Sequence, residues 1–364
     1  MKLMKLTTLA ALCQMALVPV THAAVNGDLS LGGFVRANYS LVDYSDSSKD
    51  KSGDASFDAM SLTFDGKIDG IGISVDYRFA SGFNYIKRGY GYYDFNDNTQ
   101  LQVGIVKVPF GKEGFLSNSY WFSTNYYLGF EDNYDTGAKL VWNKDNWHLD
   151  FAFIKGAEYG SDTNERYGAD IIGAHEEMNQ VNARAVYTIP MSEGHLKLGA
   201  SVEAGQLYFK DADSQFDGDD DSRYAYAAHA DLQWGAWNLQ AQVTNYKYNT
   251  VDGGDTLTVG VVGGTYDIAA EATGYNFNIA RAFDMGWGTI TVYNDYGLVS
   301  PEGDGQDDSM QNVTGVSISR GPIFTYIDYI IGDNMTFAGG PGVGLDNDNT
   351  DNESRLNINF GFYF

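Results

Sequence analysis

The chain has a single cysteine, Cys13, and only six prolines in 364 residues. A lone cysteine excludes intrachain disulfides and thiolate metal clusters. Scarce proline leaves long backbone ladders uninterrupted. Beyond the first two dozen residues no stretch approaches the roughly 18 consecutive apolar residues of a membrane helix. Basic residues are few as well: 23 Lys and Arg face 48 Asp and Glu, for a formal net charge of −25. Such a surface repels phosphate backbones and excludes nucleic acid as a partner.

The first 23 residues read as a leader. Lys2 and Lys5 precede an apolar run from Leu6 to Val20, and Thr21-His22-Ala23 offers a cleavage site. Cys13 follows Leu12 rather than the small residue of a lipobox, so it belongs to that run. Residues 1–23 are expected to be a cleaved signal peptide, and 24–364 a single domain.

What the chain does contain is 26 Tyr, 21 Phe and 43 Gly, with a mean hydropathy of −0.30. Aromatic residues suit pleated strands, and glycine suits tight turns. The dominant pattern is period-2 alternation. Leu29, Leu31, Val35, Ala37, Tyr39 and Leu41 oppose Ser30, Arg36, Asn38 and Ser40. Met60, Leu62, Phe64 and Ile68 oppose Ser61, Thr63, Asp65 and Lys67. The last strand sets Leu356, Ile358, Phe360, Phe362 and Phe364 against Arg355, Asn357, Asn359 and Gly361.

Connections alternate in length. Short ones fall at Asp69-Gly70, Asn96–Thr99, Lys144–Asn146, Pro190–His195, Gly235-Ala236, Asp284–Gly288 and Gly321-Pro322. The others, 43–56, 80–84, 110–134, 156–178, 210–222, 250–272, 299–311 and 333–353, are longer except 80–84. Short periplasmic turns on one side and long extracellular loops on the other are the arrangement of transmembrane antiparallel β-barrels in outer membranes. Seven turns and eight loops predict an all-β barrel of about 16 strands. Residues 257–262 could form a strand of their own and are assigned to a long loop; 18 strands is the alternative. In lipid only a closed sheet pairs all its backbone polar groups, so the apolar stripe faces hydrocarbon and the polar stripe a lumen. Trp142, Trp147, Tyr187, Trp234, Trp237 and Trp287 near the short turns suit an interfacial girdle. A terminal Phe364 on an alternating aromatic strand resembles the signal read by the barrel-assembly machinery of Gram-negative bacteria.

The polar stripe places basic residues on the predicted lumen face at Arg36, Lys67, Arg78 and Lys139, and again at Arg184, Lys197, Arg223 and Arg355. Acidic residues there are Asp65, Asp76, Asp150, Glu203, Asp231 and Asp328. Loop 110–134, rich in Tyr, Phe, Asn and Ser and carrying Lys112, Glu113, Glu131 and Asp132, is a candidate constriction folded into the lumen; a solvated external loop is the other reading. Its aromatics need burial, and the barrel wall is the nearest surface. Neither a nucleophile elbow nor H-E-x-x-H occurs, His175-Glu176-Glu177 being a loop fragment, so no catalytic, metal or cofactor site is expected. The acidic runs Asp217–Asp221 and Asp346–Asp351 lack the glycine and terminal glutamate of an EF-hand and read as solvated loops, with divalent ions bridging lipopolysaccharide as the alternative.

The segment beginning Arg88-Gly-Tyr-Gly-Tyr-Tyr-Asp-Phe, then Leu101-Gln-Val-Gly-Ile-Val-Lys-Val-Pro-Phe-Gly111, is similar to the phosphate-selective porin O and P family. Glu113, the aromatic loop 115–130 and Asp135-Thr-Gly-Ala138 extend the likeness over roughly residues 57–155. The resemblance implies a sixteen-strand homotrimeric porin of the Gram-negative outer membrane, with loops folded inward, in contact with lipid and lipopolysaccharide. The function expected is passive diffusion of small hydrophilic solutes and ions, phosphate or other anions among them. The arginine ladder and central lysines of phosphate-selective members do not align residue by residue here. The alternatives are a cation-preferring general porin and a barrel with an adhesin or enzyme role.

Overall fold

The computed structural model describes residues 27–347 and 351–364; the leader and part of the second acidic run lie outside the described residues. The wall begins with Gly27–Val42 (β1), Asp54–Ile68 (β2), Ile71–Ala80 (β3), Asn84–Asn96 (β4) and Thr99–Lys107 (β5). It continues with Tyr134–Lys144 (β6) and Trp147–Ala157 (β7) and, after the two-residue loop strand Asp170–Ile171 (β8), with His175–Met191 (β9), Gly194–Phe209 (β10), Asp220–Trp234 (β11) and Trp237–Tyr248 (β12). Thr256–Val261 (β13) and Gly264–Ala269 (β14) precede Glu271–Asp284 (β15), Thr289–Pro301 (β16), Ser309–Arg320 (β17) and Ile323–Asp333 (β18). Gly342–Val343 (β19) and Glu353–Tyr363 (β20) complete the set.

Sixteen of these close into one antiparallel barrel, each strand paired with the next in the wall and β20 returning to β1. Closure extends past the ladder, because Gly33 and Phe364 exchange both backbone hydrogen bonds at 3.0 Å. All seven predicted short turns connect wall strands. Asp69-Gly70, with φ of 52° and 84°, has the left-handed pair that matches hairpin twist.

The alternation sets the two faces. On β12, Gln240, Gln242, Thr244, Tyr246 and Tyr248 are buried inside while Val243 is exposed outside. Leu29, Leu31, Phe64, Phe277, Phe360 and Phe362 are likewise exposed on the outer surface, and Trp147, Trp234 and Trp287 are exposed at the short-turn end.

The remaining strands settle the count at sixteen. Most of 257–262 does form a strand, within β13, but β13 pairs with β14 and β8, and β14 with β19, in a separate four-stranded sheet built from three long loops. This sheet packs Leu257, Val259, Ile268 and Val343 with Tyr246, Val299, Val313 and Ile330 from the wall. The inner face is therefore not polar throughout. At the long-loop end it turns aromatic and aliphatic, because the loop sheet covers it.

Candidate functional site: the lumen and its inner loop

The connection from β5 to β6, residues 108–133, turns inward and runs along the inner wall. Its base is clasped by Val108 N–H donating to the Asn133 carbonyl at 2.9 Å. Gly111, at φ 58°, gives its N–H to Ser201 Oγ (2.9 Å) and accepts from Arg184 Nε (2.7 Å); a Cβ here would sit 2.6 Å from the Gln242 amide. Lys112 N–H donates to Gln242 Oε1 at 2.8 Å. Farther on, Asn278 donates to the Leu116 carbonyl at 2.9 Å, and Asp295 takes three bonds of 2.8 Å, from Asn118 N–H, Asn118 Nδ2 and Ser119 N–H. Tyr120 gives its N–H to Asp328 (3.1 Å) and its hydroxyl to Asp58 (3.0 Å), and Gln311 donates to the Phe122 carbonyl at 2.7 Å.

The loop then makes one helical turn, Thr124–Tyr127 (α1), capped by Ser123, whose Oγ accepts from Asn125 N–H at 3.1 Å. Thr124 and Asn125 bond Asn276 on the wall. On the return, the Glu131 carboxylate accepts from Leu116 N–H (2.9 Å) and from Ser123 Oγ–H, stitching the two limbs together. Leu116, Tyr126, Tyr127, Leu128 and Phe130 are buried. Trp121, Tyr126 and Tyr127 thus find burial within the barrel and Tyr120 and Phe122 are partly buried, whereas Phe115 stays 44% exposed.

Asp132 anchors the returning limb. It accepts from Lys87 at 2.6 Å, Lys107 at 2.8 Å, Tyr167 at 2.7 Å and Tyr134 at 3.2 Å. Burial opposes its charge, but the two ammonium groups outweigh that and hold its carboxyl below the usual range. Glu131 beside it has no such cation in contact, and burial pushes its carboxyl up to about 7. Lys87 and Arg88 both point inward although adjacent. The β3–β4 register passes from Asp76↔Arg88 to Tyr77↔Ile86, leaving Lys87 as the extra residue of a bulge. Lys87 lies 4.1 Å from the Tyr167 ring centroid, and Arg88 bonds Ser74 at 2.9 Å.

Most of the predicted lumen cations have partners. Arg36 pairs with Asp58 (2.7 Å), Arg78 with Asp76 (3.0 Å) and Arg184 with Asp150 (2.8 Å). Arg223 is held by Glu177 (2.9 Å) and Glu203 (2.6 Å). Arg355 donates to Ser40 Oγ (2.7 Å) and the Phe337 carbonyl (2.8 Å). Lys67 sits exposed near the short-turn rim on Asp94 (2.7 Å). Lys139 is buried with Asp150 and Arg184 around a narrow space against Pro109 and Phe110, whereas Lys197 is exposed. On the loop, Lys112 Nζ donates to the Phe115 carbonyl at 2.8 Å, and Glu113 lies 3.7 Å from both Arg184 and His148.

Two cavities flank the loop. One of about 280 Å³ at the short-turn end is lined by Lys112, His148, Arg184, Lys197, His229 and Asp231. The other, about 230 Å³, is lined by Arg36, Asp58, Arg78, Tyr85, Tyr120 and Tyr167. Sequence reasoning missed Lys87, Lys107, Asp58 and Asp295. Lys107 ends β5 directly before the inward loop, which was the one local signal for it.

Solved structures share this architecture. The outer-membrane channel DcaP of Acinetobacter baumannii superposes with a TM-score of 0.63 at 15% identity, covering 93% of this chain and 97% of that one. An anion-selective porin from Comamonas acidovorans gives 0.60 at 13% identity, covering 93% and 100%. The trimer form of OmpT from Vibrio cholerae gives 0.59 at 12% identity, covering 93% and 99%. The fold is that of the sixteen-stranded porins. No family model matches the chain, and no curated protein matches it either. Within the porin fold, this chain combines an inner loop bonded to the wall from β9 to β18 with a loop sheet packed at one end.

Proposed function

We propose that this chain is a porin of the Gram-negative outer membrane, passing small hydrophilic solutes and ions through a lumen narrowed by loop 108–133. The observation that carries this reading is a closed sixteen-strand wall with an apolar exterior and a charged interior that encloses cavities. Only closure satisfies every wall hydrogen bond in hydrocarbon, and sixteen strands leave room for water. The long loops then face outward from the cell, in contact with lipopolysaccharide, and Phe364 serves barrel assembly. A homotrimer fits the exposed apolar belt and the trimer form of the OmpT neighbour.

The selectivity we infer is weak. Fixed charges in a narrow pore set ion preference at short range, and here Arg36, Arg78, Arg184 and Arg223 are each neutralised by a carboxylate. A phosphate-selective pore needs cations free to meet the anion. Lys197, exposed in the cavity with Lys112, His148 and His229, is the best such candidate and gives the anion reading its remaining support. The test is planar-bilayer conductance of the refolded protein in a salt gradient, with phosphate as competitor. Stepwise conductance, a small reversal potential and no block by phosphate are expected. A folded barrel that never conducts would sink the porin reading in favour of a non-transport role; strong phosphate block would sink weak selectivity.

A further inference from the structure

Where β6 begins, three carboxylates from separate elements converge. Asp135 pairs across the ladder with Ala157, which brings Glu158, the first residue after β7, alongside it; Asp170 comes from β8 in the loop sheet. One oxygen from each lies within 4.8 Å of the others. Asp170 is already oriented, with Oδ1 accepting from Asn133 Nδ2 at 2.7 Å and Oδ2 from Arg166 at 2.9 Å. Asp135 is only 7% exposed, yet its Oδ1 has no hydrogen-bond partner, and neither does Oε2 of Glu158. A buried carboxylate without donors is expensive and calls for a counter-charge. With all three ionised, Arg166, fully buried, would supply one positive charge against three negative ones, and a divalent cation would make up the difference.

We propose that Asp135, Glu158 and Asp170 bind one Ca²⁺ ion that fastens loop 158–174 to the barrel wall. The ligands are hard oxygens, and the set is incomplete without water, as suits an ion taking six to eight ligands at about 2.3–2.6 Å. Mg²⁺ demands near-ideal octahedral geometry and gives up its waters reluctantly, so a buried cluster of protein carboxylates suits Ca²⁺ better. Glu158, half-buried, gives the ion a way in from solvent. Sequence spacing offered no hint, because the three residues lie at the start of β6, just past the end of β7 and on a two-residue strand.

The site stands independently of permeation, and so does its test. Barrel refolded without lipopolysaccharide is titrated with Ca²⁺ alone and followed by calorimetry, alongside Asp135→Asn, Glu158→Gln and, as a control in the exposed acidic loop, Asp219→Asn. One Ca²⁺ per chain is expected, with at least tenfold weaker binding in the two site variants, none of that loss in the control, and weaker binding of Mg²⁺. Should Asp135→Asn fail to fold, the half-exposed Glu158→Gln carries the comparison. No uptake by folded wild type at millimolar Ca²⁺, equal uptake by folded Glu158→Gln, or Mg²⁺ binding as tight as Ca²⁺ would overturn the assignment.

Discussion

Replacing Asp295 tests how the inner loop is held. Its carboxylate accepts three bonds of 2.8 Å from Asn118 and Ser119, far out along the loop from either base. Hydrogen bonds to a charged acceptor contribute about 1.5–3 kcal/mol each. They are not additive, and water replaces part of what is lost, so Asp295→Ala should weaken seating of the loop by about 2–4 kcal/mol. At 1.4 kcal/mol per tenfold, the unseated population rises roughly 30- to 700-fold. The barrel itself should survive, since Asp295 keeps its ladder bonds to β15 and β17. Single-channel recording should then show larger open-channel noise and a higher mean conductance than wild type. Asp295→Asn keeps one carbonyl oxygen for the two backbone N–H groups, and a flipped Asn118 amide can meet its new donor, so it should be intermediate. Currents from Asp295→Ala matching wild type in both mean and noise would refute the claim that this carboxylate pins the loop.

Three further outcomes follow from the same geometry. Asp132→Asn strips the carboxylate from Lys87 and Lys107; breaking a buried pair costs about 3–5 kcal/mol, so the heat-modifiable transition should fall and the reversal potential move toward anions. Gly297 lies against the loop helix, where a Cβ would come within 2.6 Å of Thr124 Cγ2 and 2.8 Å of Asn276 Nδ2; Gly297→Leu should dislodge α1 and expose loop 108–133 to protease while the barrel stays folded. Glu131, raised by burial from an ordinary 4.5 to about 7, holds its proton to higher pH in the folded state than in the unfolded chain. Its contribution to stability is therefore full below about pH 4.5 and lost as pH rises through about 7. Melting of wild type should fall between those limits by more than that of Glu131→Gln, with Lys112 and Asp132 adding the same background to both; equal slopes would contradict the assignment.

The barrel was legible because a wall between two media imposes a period of two on every strand. Leu356, Ile358, Phe360 and Phe362 announce it locally, and the short turns separate it into units. What escaped is set by contacts distant in sequence. Asp295 meets Asn118 across 177 residues, and the loop sheet joins β8, β13, β14 and β19 from three loops, two of these strands being only two residues long. Tyr246 and Tyr248 lie on the inner face against the expected polarity, because that sheet covers them. Strict alternation also puts Lys87 and Arg88 on opposite faces, and only the bulge brings both inside. The eight basic positions were placed by pattern, but the pattern gave no sign that most would be paired.

A porin of this build conducts through its lumen, with loop 108–133 as the proposed narrowest part. Comparing single-channel conductance of the intact barrel with one in which residues 115–130 are deleted tests this most directly, with heat-modifiable mobility confirming that both are folded. Conducting steps are expected from both, with a clearly larger step from the deletion. Equal steps from two folded barrels would contradict it.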